Sequence, residues 1–164
     1  MVSGEESISA MVIDYYSSLF TSLGPVGIEE IVQFTKLVVT VEMNSNLIGS
    51  FSRDEVEFAL KQMAPLKAPG PEGKPLIFFQ KFWNTIGDDV VKAILSCLNS
   101  GTILLGLNHT FISLIPKVKS PEYVTKFRPI ALCNNLYKLV YKVLANRLKK
   151  VLPHIISDSQ SAFQ

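Results

Sequence analysis

The chain has 164 residues, 48% of them hydrophobic and 18% charged, with a net charge of +2. That length makes one domain or part of a larger one, and that composition belongs to a globular core and excludes a disordered chain. Two cysteines build no disulfide framework, no apolar run nears the roughly 20 residues that span a bilayer, and the acidic start MVSGEESISA is not a secretory leader, so the expectation is an intracellular protein with no membrane partner.

The small net charge conceals two unlike halves. Residues 1–60 carry nine acids against Lys36 and Arg53, a balance of −7, whereas residues 61–164 carry +9. The halves either attract each other or the basic part holds an acidic partner. In chain order, Glu5–Ser22 places Ile8, Met11, Val12, Tyr15, Tyr16 and Leu19 at helical spacing, and Gly24-Pro25 stops that helix. A poorer helix is expected from Ile28 to about Leu37, and residues 38–50 read as an irregular connection.

At Phe51 the signals sharpen. Ser52 can cap, Glu55 stands three residues on, and Phe51 can staple to Val56. Val56, Ala59, Leu60 and Met63 then form one apolar face that ends before Pro65. The following LKAPGPEGKP is dense in proline and glycine. With Lys67 and Lys74 it suits a stiff clamp on a nucleic-acid backbone, although a plain interhelical loop is the ordinary reading of such a composition.

Pro75 fits the first position of a helix along which Leu76, Phe79, Phe82, Trp83 and Ile86 line one side, a core stripe rather than a base-stacking platform. Asp88-Asp89 invites a metal-site reading. Placed after Gly87 and before an apolar helical run, the pair is expected to cap a helix that closes at Ser100-Gly101. Cys97, His109, Cys133 and His154 lack the close pairs that zinc uses and read as ordinary residues, so no metal site is expected.

The most informative stretch is Phe111 to Phe163. Thr110–Pro116 and Phe127–Leu132 read as paired strands joined by a longer loop. A basic amphipathic helix follows. Leu136, Leu139, Val140, Val143, Leu144, Leu148, Val151 and Leu152 form its apolar stripe, with Leu144 expected in the core; Lys138, Lys142, Arg147, Lys149 and Lys150 lie mostly off it, and Pro153 ends it. Nine basic residues and one acid stand between Lys117 and Lys150, a surface for a polyanion. Lys67, Lys74, Lys138, Lys142 and Lys149 are the candidate nucleic-acid contacts. Taken alone, Arg128 reads as a surface ion pair.

The pieces FSRDEVEFALKQMAPLKAPGPEG, FFQKFW, LNHTFISLIPKV, FRPIALCNNLYKLVYKVLANRLKKVLP and IISDSQSAF, in that order, resemble the reverse transcriptase of plant LINE-type (non-LTR) retrotransposons. The resemblance covers at least Phe51–Phe163 and corresponds to the N-terminal fingers portion. It implies an RNA-directed DNA polymerase whose partners are an RNA template or DNA primer and a nucleoside triphosphate. Under it, Arg128 holds the triphosphate with a planar, permanently charged fork, and Lys117 supports it. The KAPGPEG loop corresponds to a template-contacting segment. The family usually carries Asp where this chain has Glu72, which predicts a modest local effect.

The resemblance also implies magnesium for the full-length enzyme, held by palm aspartates that lie past Gln164. The fragment itself is thus expected to have no cofactor, no catalytic residue and no polymerase activity, its palm domain being a missing partner. The expected fold is α+β, mostly helical with one antiparallel β-hairpin, the incomplete fingers of a right-hand polymerase. Residues 1–50 form an upstream helical region and 51–164 the fingers region. Two alternatives stand beside this reading: a nucleic-acid-binding module without chemistry, and an inert helical remnant with uncovered apolar surface.

Overall fold

Short-range signals place most of the elements. The computed structural model describes residues 4–33 and 38–156. Among them run α1 (Glu5–Phe20), α2 (Ile28–Val32), α3 (Val41–Ile48), α4 (Arg53–Gln62), α5 (Leu76–Lys81) and α6 (Trp83–Ser100). Then come β1 (Thr110–Pro116), a 3-10 turn at Val124–Lys126, β2 (Phe127–Cys133), α7 (Asn135–Leu148) and α8 (Leu152–Ile155). The described residues are mostly helical with one two-stranded antiparallel hairpin, an α+β chain. The expected Phe34–Leu37 end of α2 and the SDSQSAF segment lie outside the described residues.

The chain divides into two compact units. One comprises Met1–Leu37 and Leu114–Pro129, the other Val38–Ser113 and Ile130–Gln164. In the first, α1 buries Tyr16 and leaves Ile8, Met11 and Leu19 exposed. The hydroxyl of Tyr16 lies 3.5 Å from the carbonyl of Phe127 in β2.

The second unit holds the core. Val56, Ala59 and Leu60 of α4, Leu76 and Phe79 of α5, Val90, Val91, Ile94 and Cys97 of α6, and Leu139, Val140 and Val143 of α7 are all buried together. Burial of each large apolar side chain contributes about 1.5–3 kcal/mol. The α4 start carries the full capping box: the Glu55 amide donates to Ser52 Oγ and the Ser52 amide donates to Glu55 Oε2 at 2.9 Å. At the other end of α4, Gln80 Nε2 donates to the carbonyls of Leu60 and Met63, both at 3.1 Å.

Four expectations are corrected. Residues 41–48 are helical, because Thr40 caps them by accepting from the Met43 amide at 3.1 Å. Asp88 and Asp89 do not cap a helix. The break falls earlier, at Phe82, and α6 runs from Trp83 through both aspartates. Gly87 is tolerated inside α6 because the Trp83 ring fills the space a side chain would need: a Cβ there would sit 2.9 Å from it. The basic helix ends at Leu148, and Pro153 lies in the first turn of α8, where a missing amide proton costs nothing. Leu144, expected in the core, is 40% exposed, and its stripe neighbour Leu148 is 43% exposed.

Candidate nucleic-acid interface

Within the first unit, the site-bearing element is the outer part of the hairpin. The amide of Lys117 donates to the carbonyl of Lys126 at 2.8 Å, which sets the register. Counting back from that pair puts Arg128 across from Ile115, and Leu114 across from Pro129. Side chains alternate across a strand, so Lys117, Lys126 and Arg128 share one face. That face is exposed, whereas Leu114, Phe127 and Pro129 on the other are half-buried. Lys117 Nζ donates to the carbonyl of Thr125 at 3.0 Å, which holds the ammonium beside the strand. The Arg128 side chain makes no ion pair or hydrogen bond among the described residues. Three cations on one face without an acid repel one another and attract an anion. In the connecting loop, Ser120 adopts a φ of 94°, a conformation that favours glycine.

Within the second unit, the proline- and glycine-rich loop is fastened to the start of α7. The Asn135 amide donates to Glu72 Oε1 at 2.6 Å, so the carboxylate occupies the positive end of the helix. The Glu72 amide donates to Asn134 Oδ1 at 3.3 Å, Asn135 Nδ2 to the Lys74 carbonyl at 2.6 Å, and Lys138 Nζ to the Ala68 carbonyl at 3.0 Å. Asn134 Nδ2 reaches the Gly106 carbonyl at 2.9 Å and the Leu107 carbonyl at 3.2 Å. Gly70 passes so close to β2 that a Cβ would lie 2.4 Å from the Cys133 carbonyl oxygen. No side chain larger than hydrogen fits there.

These ties bring Lys67, Lys74 and Lys138 to one end of α7. Lys67 is exposed, and Lys74 Nζ sits 4.7 Å over the Phe78 ring. Lys142 is half-buried and Lys149 exposed, and neither is ion-paired among the described residues. The backbone amide of Glu72 is already taken by Asn134. The Gly73 amide is likewise taken, by the Gly70 carbonyl.

Arg147, by contrast, is consumed by the fold. Its guanidinium donates to Glu55 Oε1 and Oε2 at 2.6 and 2.8 Å, to the Leu47 and Ser50 carbonyls at 3.1 and 2.7 Å, and to the Gly49 carbonyl. It also stacks 3.5 Å over the Phe51 ring. Its hydrogen bonds hold the Glu55 carboxyl down at about 2, well below its ordinary 4.5. Arg53 similarly joins Glu57 within α4 and Asp88 on α6, each at 2.7 Å. That bond lowers the Asp88 pKa, and it explains what the aspartate does inside a helix.

The sequence by itself assigns no role to Asn134, Asn135 or the tyrosines of α7, and marks Glu72 only as a departure from the family pattern. Tyr137 and Tyr141 stand four residues apart with ring centroids 4.5 Å apart, and the Tyr137 hydroxyl donates to that of Tyr141 at 3.0 Å. This bond pushes the Tyr137 phenol up to about 12. Their i,i+4 spacing was the available signal. Among the described residues, no cluster of three or more His, Cys, Asp or Glu is placed to hold a metal ion, and no helix is long and apolar enough to cross a membrane.

No known protein-family model matches the chain. It is 31% identical over 158 residues, 95% of its length, to the Transposon TX1 uncharacterized 149 kDa protein of Xenopus laevis. The chain spans 12% of that protein. The similarity supports a transposon origin for the chain.

Proposed function

We propose that the chain is the fingers segment of a LINE-type retrotransposon reverse transcriptase, contacting an RNA template and the incoming nucleoside triphosphate. The observation that carries this reading is the exposed hairpin face bearing Lys117, Lys126 and Arg128 with no acid to neutralise it. The similarity to a transposon protein across nearly the whole chain adds to it. On this reading Arg128 offers a fork of donors to the triphosphate, Lys117 supports it, and Lys67, Lys74, Lys138, Lys142 and Lys149 face the nucleic-acid backbone.

Magnesium, implied for the full-length enzyme, finds no matching donor set among the described residues. Asp88 is bound to Arg53 and belongs to no acidic cluster there. No chemical step is assigned to these residues. Their part is positioning and charge.

Titrating the chain with a fluorescent deoxynucleoside triphosphate tests the assignment. Binding should weaken at least about tenfold in Arg128→Ala, the loss expected for one charge-assisted contact. Equal binding by both proteins would remove Arg128 from the nucleotide site. Binding of RNA but not of the triphosphate would favour a nucleic-acid module without nucleotide recognition.

A further inference from the structure

We propose that Tyr137 and Tyr141 form a stacking platform for an unpaired base of single-stranded RNA, with Lys138 and Lys142 taking the flanking phosphates. The proposal rests on the reading of the chain as a nucleic-acid-contacting segment and names residues that reading does not use. The two rings are ordered before any ligand arrives, because each phenol engages the other at 3.0 Å. Tyr141 is 49% exposed, so a ring face is available to solvent. A tyrosine already fixed in its rotamer loses little freedom when a base lies on it.

The surroundings choose the ligand. From Asn135 to Leu148 the helix contains Lys138, Lys142 and Arg147 and no acid. Arg147 is fully engaged elsewhere, which leaves the two lysines. Residues three and four apart are neighbours on a helix, so the Tyr137/Tyr141 row runs beside the Lys138/Lys142 row. Lys138 uses one of its three protons on the Ala68 carbonyl, which steadies the ammonium and leaves two donors for phosphate. Leu144 and Leu148 continue the exposed row, and apolar residues alone would suit a protein helix. A row bordered by lysines and lacking any carboxylate favours a polyanion with stackable rings.

Fluorescence anisotropy with a labelled oligoadenylate of about 12 nucleotides tests the platform. The full chain should bind it with an affinity that falls as salt rises. Tyr137→Ala/Tyr141→Ala should bind about 10- to 100-fold more weakly, while Tyr141→Phe, which keeps the ring but loses the phenol–phenol bond, should fall between the double variant and the wild type. Duplex RNA hides its base faces, so the double variant should bind it as the wild type does. RNA should also quench wild-type tyrosine fluorescence, a signal that a merely structural role would not give. Lys138→Gln/Lys142→Gln should weaken single and double strands alike and reduce the salt slope by about two.

Salt-dependent wild-type binding that survives unchanged in the double tyrosine variant would overturn the platform and leave the nucleic-acid reading intact. Absence of any RNA binding by the wild type would overturn both. Loss of self-association in the double variant, at unchanged RNA affinity, would assign the row to a protein contact and overturn the platform. Circular dichroism melting confirms that the variants fold.

Discussion

Arg147 at the end of α7 and Arg128 on the hairpin are the same side chain put to opposite uses. Arg147 spends its donors on Glu55 and on the Leu47, Gly49 and Ser50 carbonyls, and its flat face on Phe51. Arg128 has no partner among the described residues and shares an exposed face with two lysines. A guanidinium with all donors satisfied is a structural bolt, and one left over is a receptor for something else. Counting cations along the chain treats the two alike. Counting free donors separates them.

The sharpest way to break this contrast is Arg147→Ala. It strands a half-buried carboxylate and backbone carbonyls, and should cost about 3 kcal/mol, or a melting temperature lower by about 8 °C. Arg147→Lys should recover less than half of the loss, since an ammonium cannot serve both oxygens of Glu55 and the carbonyls together. A melting temperature unchanged in both variants would reduce the clamp to a surface contact.

Acid should act on the same clamp. Glu55 titrates near 2 in the folded chain against an ordinary 4.5. Its contribution is therefore complete above 4.5, declines as the pH falls below that value, and is gone once the pH passes below the folded pKa. The full shift is discounted because the side chain is 32% exposed, which leaves about 2 kcal/mol. Urea unfolding across this pH range should show the slope in wild type and lose this part of it in Arg147→Ala.

Glu72→Ala, of intermediate effect, tests the proline- and glycine-rich loop. It removes a charge-assisted bond at the α7 start and should cost about 1.5 kcal/mol. Hydrogen exchange at the Asn135 amide should quicken, with Glu72→Gln between the two. Last comes Arg128→Ala, which should leave stability within about 0.5 kcal/mol of wild type because nothing in the fold depends on it. A large loss of stability there would put Arg128 in the same structural class as Arg147.

How much was legible depended on how far apart in sequence the partners lie. The Ser52–Glu55 box spans three residues and could be read directly, and so could the hairpin, whose strands alternate and are β-branched. The helix at 41–48 is not legible in the sequence because one threonine cap is a weak signal against a polar, β-branched run. Asp88 resembles a helix cap in sequence because its actual partner, Arg53, is 35 residues away. The clamp on Glu55 was invisible because Arg147 follows it by 92 residues. Glu72 stands out in the sequence as a departure from the family pattern, but its bond to the Asn135 amide spans 63 residues. The exposure of Leu144 has another origin: periodicity gives a wide apolar face without saying how much of it meets a neighbour.

By itself the sequence determined the local elements and the chemistry available to them: a capped α4, a hairpin with cations on alternate positions, a lysine-bearing helix without acids. Periodicity, capping and alternation act within a few residues, so they survive reading in one dimension. Tertiary structure alone decided which charges remain free. It tied Arg147, Arg53 and Glu72 to distant partners and left Lys117, Lys126 and Arg128 exposed to solvent on the hairpin. A side chain's availability is what packing and pairing leave over, and that remainder exists only once the chain has folded.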